Sequence, residues 1–239
     1  MFPIAQSELI QIFRNRLVLI TSFVMPVAVG AFLIRQHDVF AELGSLGYVA
    51  AVLIATVTAF GLYTGAVTTL ASRRQNLFLK RLRSSAAGDA SIITGLLLPI
   101  TVIAVLQIAA MLIVLGTVAG RPADIVLLIA GVVGTVLVMI GLALATAGLT
   151  NSPEHAQVTT LPVSLGIIAI TTWVGISGTE DLAVVKRLLP GGASTELVVN
   201  AWNGGVPLQD SLLLLGPTLA WVVVSVMLAR RLFQWEPRR

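Results

Sequence analysis

The chain has 239 residues, 56% apolar and only 11% charged, with a mean hydropathy of +0.96. Soluble domains carry about a quarter charged residues and somewhat under half apolar ones, so this composition excludes a soluble globular fold. The absence of cysteine excludes disulfides and thiolate metal sites, and the net charge of +4 is better explained by membrane topology than by nucleic-acid binding.

The charges are clustered, leaving runs without Asp, Glu, Lys, Arg or His at 17–34, 43–72, 90–120, 125–153, 156–179 and 211–229. A hydrocarbon core of about 30 Å needs roughly 20 apolar residues as a helix. Each run holds one span and none reaches two, so the expectation is an all-α integral membrane protein of six transmembrane helices forming a single domain over 1–239.

Residues 2–16 precede the first span and are too polar to enter it. Phe2, Ala5, Leu9, Ile12 and Phe13 recur at helical spacing, with Ser7, Gln11, Arg14 and Asn15 opposite, and Pro3 suits a first turn. This pattern predicts an amphipathic helix along the membrane surface. The first span, about 17–34, follows Arg14 and Arg16 as a signal sequence would. It continues past Ala28 and Gly30, where cleavage would fall, and so reads as retained. The second span, about 46–70, is apolar or hydroxylated all round, unlike a helix of a soluble bundle.

The next segment, ASRRQNLFLKRLRSSAAGDA (71–90), is the most informative loop. Drawn as one helix, it places Arg73, Asn76, Lys80 and Arg83 on one stripe and Phe78, Leu79 and Leu82 on another. Its basic edge suits anionic lipid headgroups or a protein partner, and charge alone leaves both open. Spans at about 91–119 and 125–149 follow. The loop 150–157 then carries His155 beside Glu154, read as solvated surface without a catalytic role. The fifth span, about 158–176, precedes a long segment, 177–210. There Pro190, Gly191 and Gly192 break structure, and Ser194 or Thr195 caps a short interfacial or re-entrant helix to about Trp202, ended by Asn203, Gly204 and Gly205. The sixth span covers about 211–231.

With the N-terminus in the cytoplasm, the inside segments hold Arg14, Arg16, Arg73, Arg74, Lys80, Arg81, Arg83, Arg230, Arg231, Arg238 and Arg239. The outside segments hold only Arg35, Arg121, Lys186 and Arg187. This bias predicts a multi-pass plasma-membrane protein with both termini cytoplasmic.

No GxxxxGK[ST] loop precedes Lys80 or Lys186, and neither HExxH nor paired intramembrane carboxylates occur. The expectation is a non-catalytic membrane subunit without a cofactor or metal of its own. Ion-coupled carriers usually keep ionisable groups at depth, and these spans contain none, so a motor outside the bundle fits better. An energy-independent carrier or channel, and a non-transport immunity or assembly subunit, stand as alternatives. Spans two, three and five carry Thr56, Thr58, Tyr63, Gln107, Thr171, Thr172 and Trp173, a polar and aromatic set suited to an amphipathic substrate path or to ordinary interhelical packing. Prolines 26, 99, 162 and 217 offer kinks.

Three stretches carry a resemblance: RNRLVLITSFVMPVAVGAFLI, with Pro26 in mid-span; RRQNLFLKRLRSSAAGDASIITGLLLP at 73–99; and RLLPGGASTELVVNAWNGG at 187–205. Together the chain resembles the permease subunit of a type-2 ABC exporter, the last stretch as in actinobacterial members. Thirteen Arg against two Lys also suggest a GC-rich bacterial genome. The loop lacks the Glu-Arg pair and glycine often found before the family's basic cluster. The resemblance implies that 2–16 is an elbow helix. It makes 73–85 a coupling helix docking on a separate ATP-binding subunit through Arg73, Arg74, Asn76, Phe78, Leu79, Lys80, Leu82 and Arg83. It further implies two permease chains, identical or paralogous, with the path between them, ATP and Mg on the partner subunit, and export of drugs, antibiotics, lipids or polysaccharides.

Overall fold

A computed structural model describes residues 2–14, 19–84 and 88–235, and every regular element among them is helical. Arg16, Asn15, Arg238 and Arg239, and the side chains of Phe2, Pro3, Phe13 and Arg14, lie outside what is described. Helix α1 (Phe2–Arg14) is followed by a π-helical turn, Ile20–Val24, that leads into α2 (Met25–Arg35). The chain then bends by 78° into α3 (His37–Leu43). Next come α4 (Leu46–Thr56), a second π-helical turn (Val57–Tyr63) and α5 (Thr64–Gln75), which together form one helix. The remaining helices are α6 (Phe78–Arg83), α7 (Asp89–Val118), α8 (Ile125–Ala147), α9 (Pro153–Ser177), α10 (Ala183–Leu188), α11 (Gly192–Asn203), α12 (Leu208–Leu213) and α13 (Leu215–Leu232).

Five of these helical stretches are long and apolar enough to cross a membrane: Leu46–Gln75, Asp89–Val118, Ile125–Ala147, Pro153–Ser177 and Leu208–Leu232. The bent pair at 22–43 passes the same test of length and composition when its two helices are taken together, so the count is five, or six with that pair as one span. The protein is an all-α integral membrane protein.

Helix 46–75 is the axis of the bundle, with 83% of its apolar window buried against 22% for Leu208–Leu232. Small residues cause this. Between helices in lipid the gain comes from close van der Waals packing, which Gly, Ala, Ser and Thr permit. A methyl group on Gly65 would lie 2.2 Å from Ile100 of α7 and 2.6 Å from Ser22 of the first span. Along α8 the same device repeats at seven-residue intervals. Added Cβ atoms would collide with Thr218 from Gly134, with Ser225 from Gly141 and with the Leu232 carbonyl from Gly148. The contacts recur every seven residues on both helices, the spacing of a heptad seam.

Two expectations are corrected. Segment 71–90 is not one helix: α5 ends at Gln75, and Leu77 takes a left-handed φ of 56° that starts α6 in a new direction. The stripe from Arg73 to Arg83 therefore does not exist. Helix α11 starts at Gly192 behind Gly191 (φ 85°), not at a Ser194 or Thr195 cap. A Cβ on Gly192 would sit 1.8 Å from the Lys186 carbonyl, so the two glycines allow the tight reversal. Helix α11 is itself the short helix expected in this outer segment. It is buried against α4, α8 and α9, with Leu197, Val198, Ala201 and Trp202 all in the core.

Candidate functional site

The basic segment gathers three other parts of the chain at one end of the bundle. Arg73, in the last turn of α5, pairs with Glu8 of α1: Nη2 donates to Oε2 at 2.9 Å, and Nε stands 2.7 Å from Oε1 as an ion-pair contact without hydrogen-bond geometry. Its Nη2 also donates to the Gln11 side-chain oxygen, and its guanidinium stands 5.4 Å from the centre of the Phe78 ring. Arg74 is buried and donates through Nη2 to the Thr150 carbonyl in the α8–α9 loop. Arg83 lies 3.3 Å from Asp89 at the start of α7 and 5.0 Å from the centre of the Trp235 ring, itself edge-on to Phe233. One short stretch thus holds the N-terminal helix, an interhelical loop and the C-terminal segment.

The residues of 73–83 divide by direction. Leu79 is buried and Phe78 and Leu82 pack on the core, so α6 is seated by its apolar side. Lys80, Arg81, Arg83 and the turn residues Asn76 and Leu77 are exposed, with Arg81 donating to the Asn76 carbonyl at 2.9 Å. The outward face is therefore Asn76, Lys80, Arg81 and Arg83, while Arg73 and Arg74 point inward. On α1 the buried stripe includes Glu8 and Ile12, with Leu9 and Ile10 exposed. The periodicity had put Leu9 beside Ile12 and gave Glu8 no role. A buried carboxylate waits for a cation, and the basic loop 65 residues on was the available signal.

At the opposite end, Ser45 caps α4 by accepting from the Tyr48 amide at 3.1 Å, and Asn203 bridges it by accepting from the Gly47 amide at 3.0 Å and donating to Ser45 Oγ at 2.9 Å. Lys186 is buried. Its ammonium donates to Ser177 Oγ at 2.9 Å and to the Gly178 carbonyl at 2.6 Å, and stands 5.2 Å from the Trp173 ring centre. It closes the carbonyl end of α9, where a cation is favoured. Arg187 grips Glu196 of α11 through two 2.7 Å bonds, and Thr179 donates to the same carboxylate at 2.8 Å. Sequence reasoning missed both ties: the turn at 178–182 returns Lys186 to the end of α9, and the reversal at 190–192 brings Arg187 to Glu196.

Among the described residues the seven candidate path residues take different partners, Gln107 beside the first span and Thr171 beside α11. Thr58 bonds back to the Ile54 carbonyl at 2.8 Å. Tyr63 Oη is 2.8 Å from Thr146 Oγ1, and Thr171 is 3.2 Å from Thr195. Gln107 donates to the Phe23 carbonyl at 3.3 Å, in the first π turn. Thr56 is buried, Thr172 half-buried and Trp173 partly exposed. A cavity of about 170 Å³ lies instead among Met25, Phe60, Thr64, Gln157, Thr160 and Ser164. Beside it the Ala59 carbonyl of the second π turn accepts from the Thr64 amide and also from the hydroxyls of Thr64 at 3.0 Å and Ser164 at 3.3 Å.

Comparison with known proteins adds one match. The family model described as "ABC-2 family transporter protein" matches residues 31–231. No curated protein matches the chain.

Proposed function

The chain belongs to the ABC-2 transporter family, a membrane transport component, and from that premise we propose that it is the permease of an ATP-driven exporter. It moves a hydrophobic or amphipathic compound, such as a drug, antibiotic or lipid, and it pairs with a second permease chain, identical or paralogous. Both termini face the cytoplasm, as the basic bias requires. ATP and Mg bind a separate subunit, which docks on α6 through Lys80, Arg81, Arg83 and Asn76.

The observation that carries this reading is the division of labour within 73–83. Arg73 and Arg74 are bonded into the bundle, while the next turn presents exposed cations. Force applied to α6 passes through α5 into the central helix and, through Glu8 and Thr150, into α1 and the α8–α9 loop. The hydroxyl-lined cavity at Thr64, Thr160 and Ser164 lies on that central helix and is a candidate stretch of the path. Thr56, Thr58, Tyr63, Gln107, Thr171, Thr172 and Trp173 lie outside that cavity and are candidates for other stretches of the path.

The test is co-purification with the ATP-binding subunit and transport by the pair. Lys80→Glu with Arg81→Glu leaves the inward ties intact and should abolish stimulation of the partner's ATPase. Normal docking and transport by this correctly inserted variant would overturn the coupling assignment. Transport by the permease without any ATPase would favour an energy-independent carrier.

A further inference from the structure

The first span is held to the bundle along one narrow line, Ser22, Pro26, Gly30 and Leu33, at helical spacing. Beside that line, between the first span and α7, runs a groove of about 860 Å³, within the roughly 300–1,000 Å³ range of small-molecule sites. Its walls include Val27 and Ala31 on one side and Leu106, Ala110 and Val114 on the other. Gln107 closes the floor where its amide ties α7 to the Phe23 carbonyl.

The groove has one polar end. From Phe23 to Arg35 it follows the helix for about 18 Å at 1.5 Å per residue, close to the depth of one leaflet, about 15 Å. At its mouth are Arg35 and His37. The 78° bend lays α3 across the span axis at that level, as a helix at headgroup depth lies. His37 is fixed by donating through Nδ1 to the Ile34 carbonyl at 2.9 Å, and its Nε2 is 3.2 Å from the exposed Asp38. Among the described residues no carboxylate forms an ion pair with the exposed Arg35.

We infer that this groove binds an anionic phospholipid of the leaflet bounded by α3, with an acyl chain along Val27, Ala31, Leu106 and Ala110 and the phosphate at Arg35. An acyl chain fits an apolar trough one leaflet deep that ends in a cation. A span of a second chain does not: it would continue past the mouth and cover Arg35 with hydrocarbon, leaving its charge unpaired. The lipid is a bound component that props the loosely held first span against α7. The assignment needs no ATPase partner and does not depend on what the protein transports.

The test uses the full chain in phosphatidylcholine nanodiscs doped with trace diazirine-acyl phosphatidylglycerol or diazirine-acyl phosphatidylcholine, with adducts mapped by peptide mass spectrometry. Adducts should concentrate on 23–37 and 103–118 relative to the exposed face of α8 at Val126, Ile129 and Val133. Phosphatidylglycerol should be preferred about fivefold, the effect of one basic residue beside an anionic headgroup. Arg35→Gln, which disturbs no packing, should erase the preference while keeping adducts, and Ala110→Trp should remove the enrichment itself. Labelling equal to that of the α8 face, or a preference unchanged in Arg35→Gln, would overturn the assignment. So would an interchain disulfide at Leu106→Cys in place of adducts, which would give the groove to a second copy.

Discussion

The Glu8–Arg73 pair offers the sharpest test of how the N-terminal helix is held. The Glu8 side chain is 1% exposed and that of Arg73 13%. Removing one partner of a buried pair costs about 3–5 kcal/mol, because the other charge is left without compensation. The two single substitutions should not be equal. In Glu8→Gln, Arg73 keeps Gln11, the Phe78 ring and a little solvent, so the loss sits near 3 kcal/mol. In Arg73→Gln, Glu8 has almost no solvent, and the loss sits near 5 kcal/mol. For a chain of this size each kcal/mol lowers the melting temperature by roughly 2–4 °C, giving drops of about 6–12 °C and 10–20 °C. Thermal unfolding of the purified permease in detergent measures both, and the double variant completes a cycle. That variant places amide against amide and should be less damaging than the sum by at least about 2 kcal/mol. Additivity within about 0.5 kcal/mol, or a larger loss from Glu8→Gln than from Arg73→Gln, would refute the pairing and the burial argument together.

Two further outcomes follow from the packing and the distal ties. Gly141→Leu should lower stability by about 1–3 kcal/mol by forcing α8 from α13, since even a methyl would meet Ser225 Oγ at 2.2 Å, while Gly166→Leu, with open space beside it, should leave the melting temperature unchanged. Lys186→Met preserves the apolar stem but removes both donors from Ser177 and Gly178, and thermal unfolding should show a loss of about 1–3 kcal/mol.

The helical membrane class was legible because hydropathy and charge clustering are properties of whole stretches and need no knowledge of neighbours. The ends of the helices were harder. The break at Asn76–Leu77 has no glycine or proline to announce it, and Leu77 adopts a left-handed backbone more often reserved for glycine. Apolar helical stretches long enough to cross a membrane were likewise legible from composition. Even so, the buried ionic groups at their margins (Glu8, Arg74, Lys186 and Glu196) escaped notice. Each finds its partner through a chain reversal or a contact across tens of residues, and a linear pattern carries no sign of either. The Gly134–Gly141–Gly148 seam, by contrast, was present as a period in the sequence and needed only its counterpart at Thr218, Ser225 and Leu232 to acquire meaning.

The π turn at Val57–Tyr63 sets the angular phase of everything after it. A π turn carries a surplus residue relative to an α-helix, and one residue corresponds to about 100° of rotation and 1.5 Å of rise. Arg73 faces Glu8, and Arg74 faces Thr150, only with that surplus in place. Removing one residue from 57–63 would barely shorten the span, yet it would swing both arginines away from their acceptors. The length of this helix tolerates drift; its winding number does not.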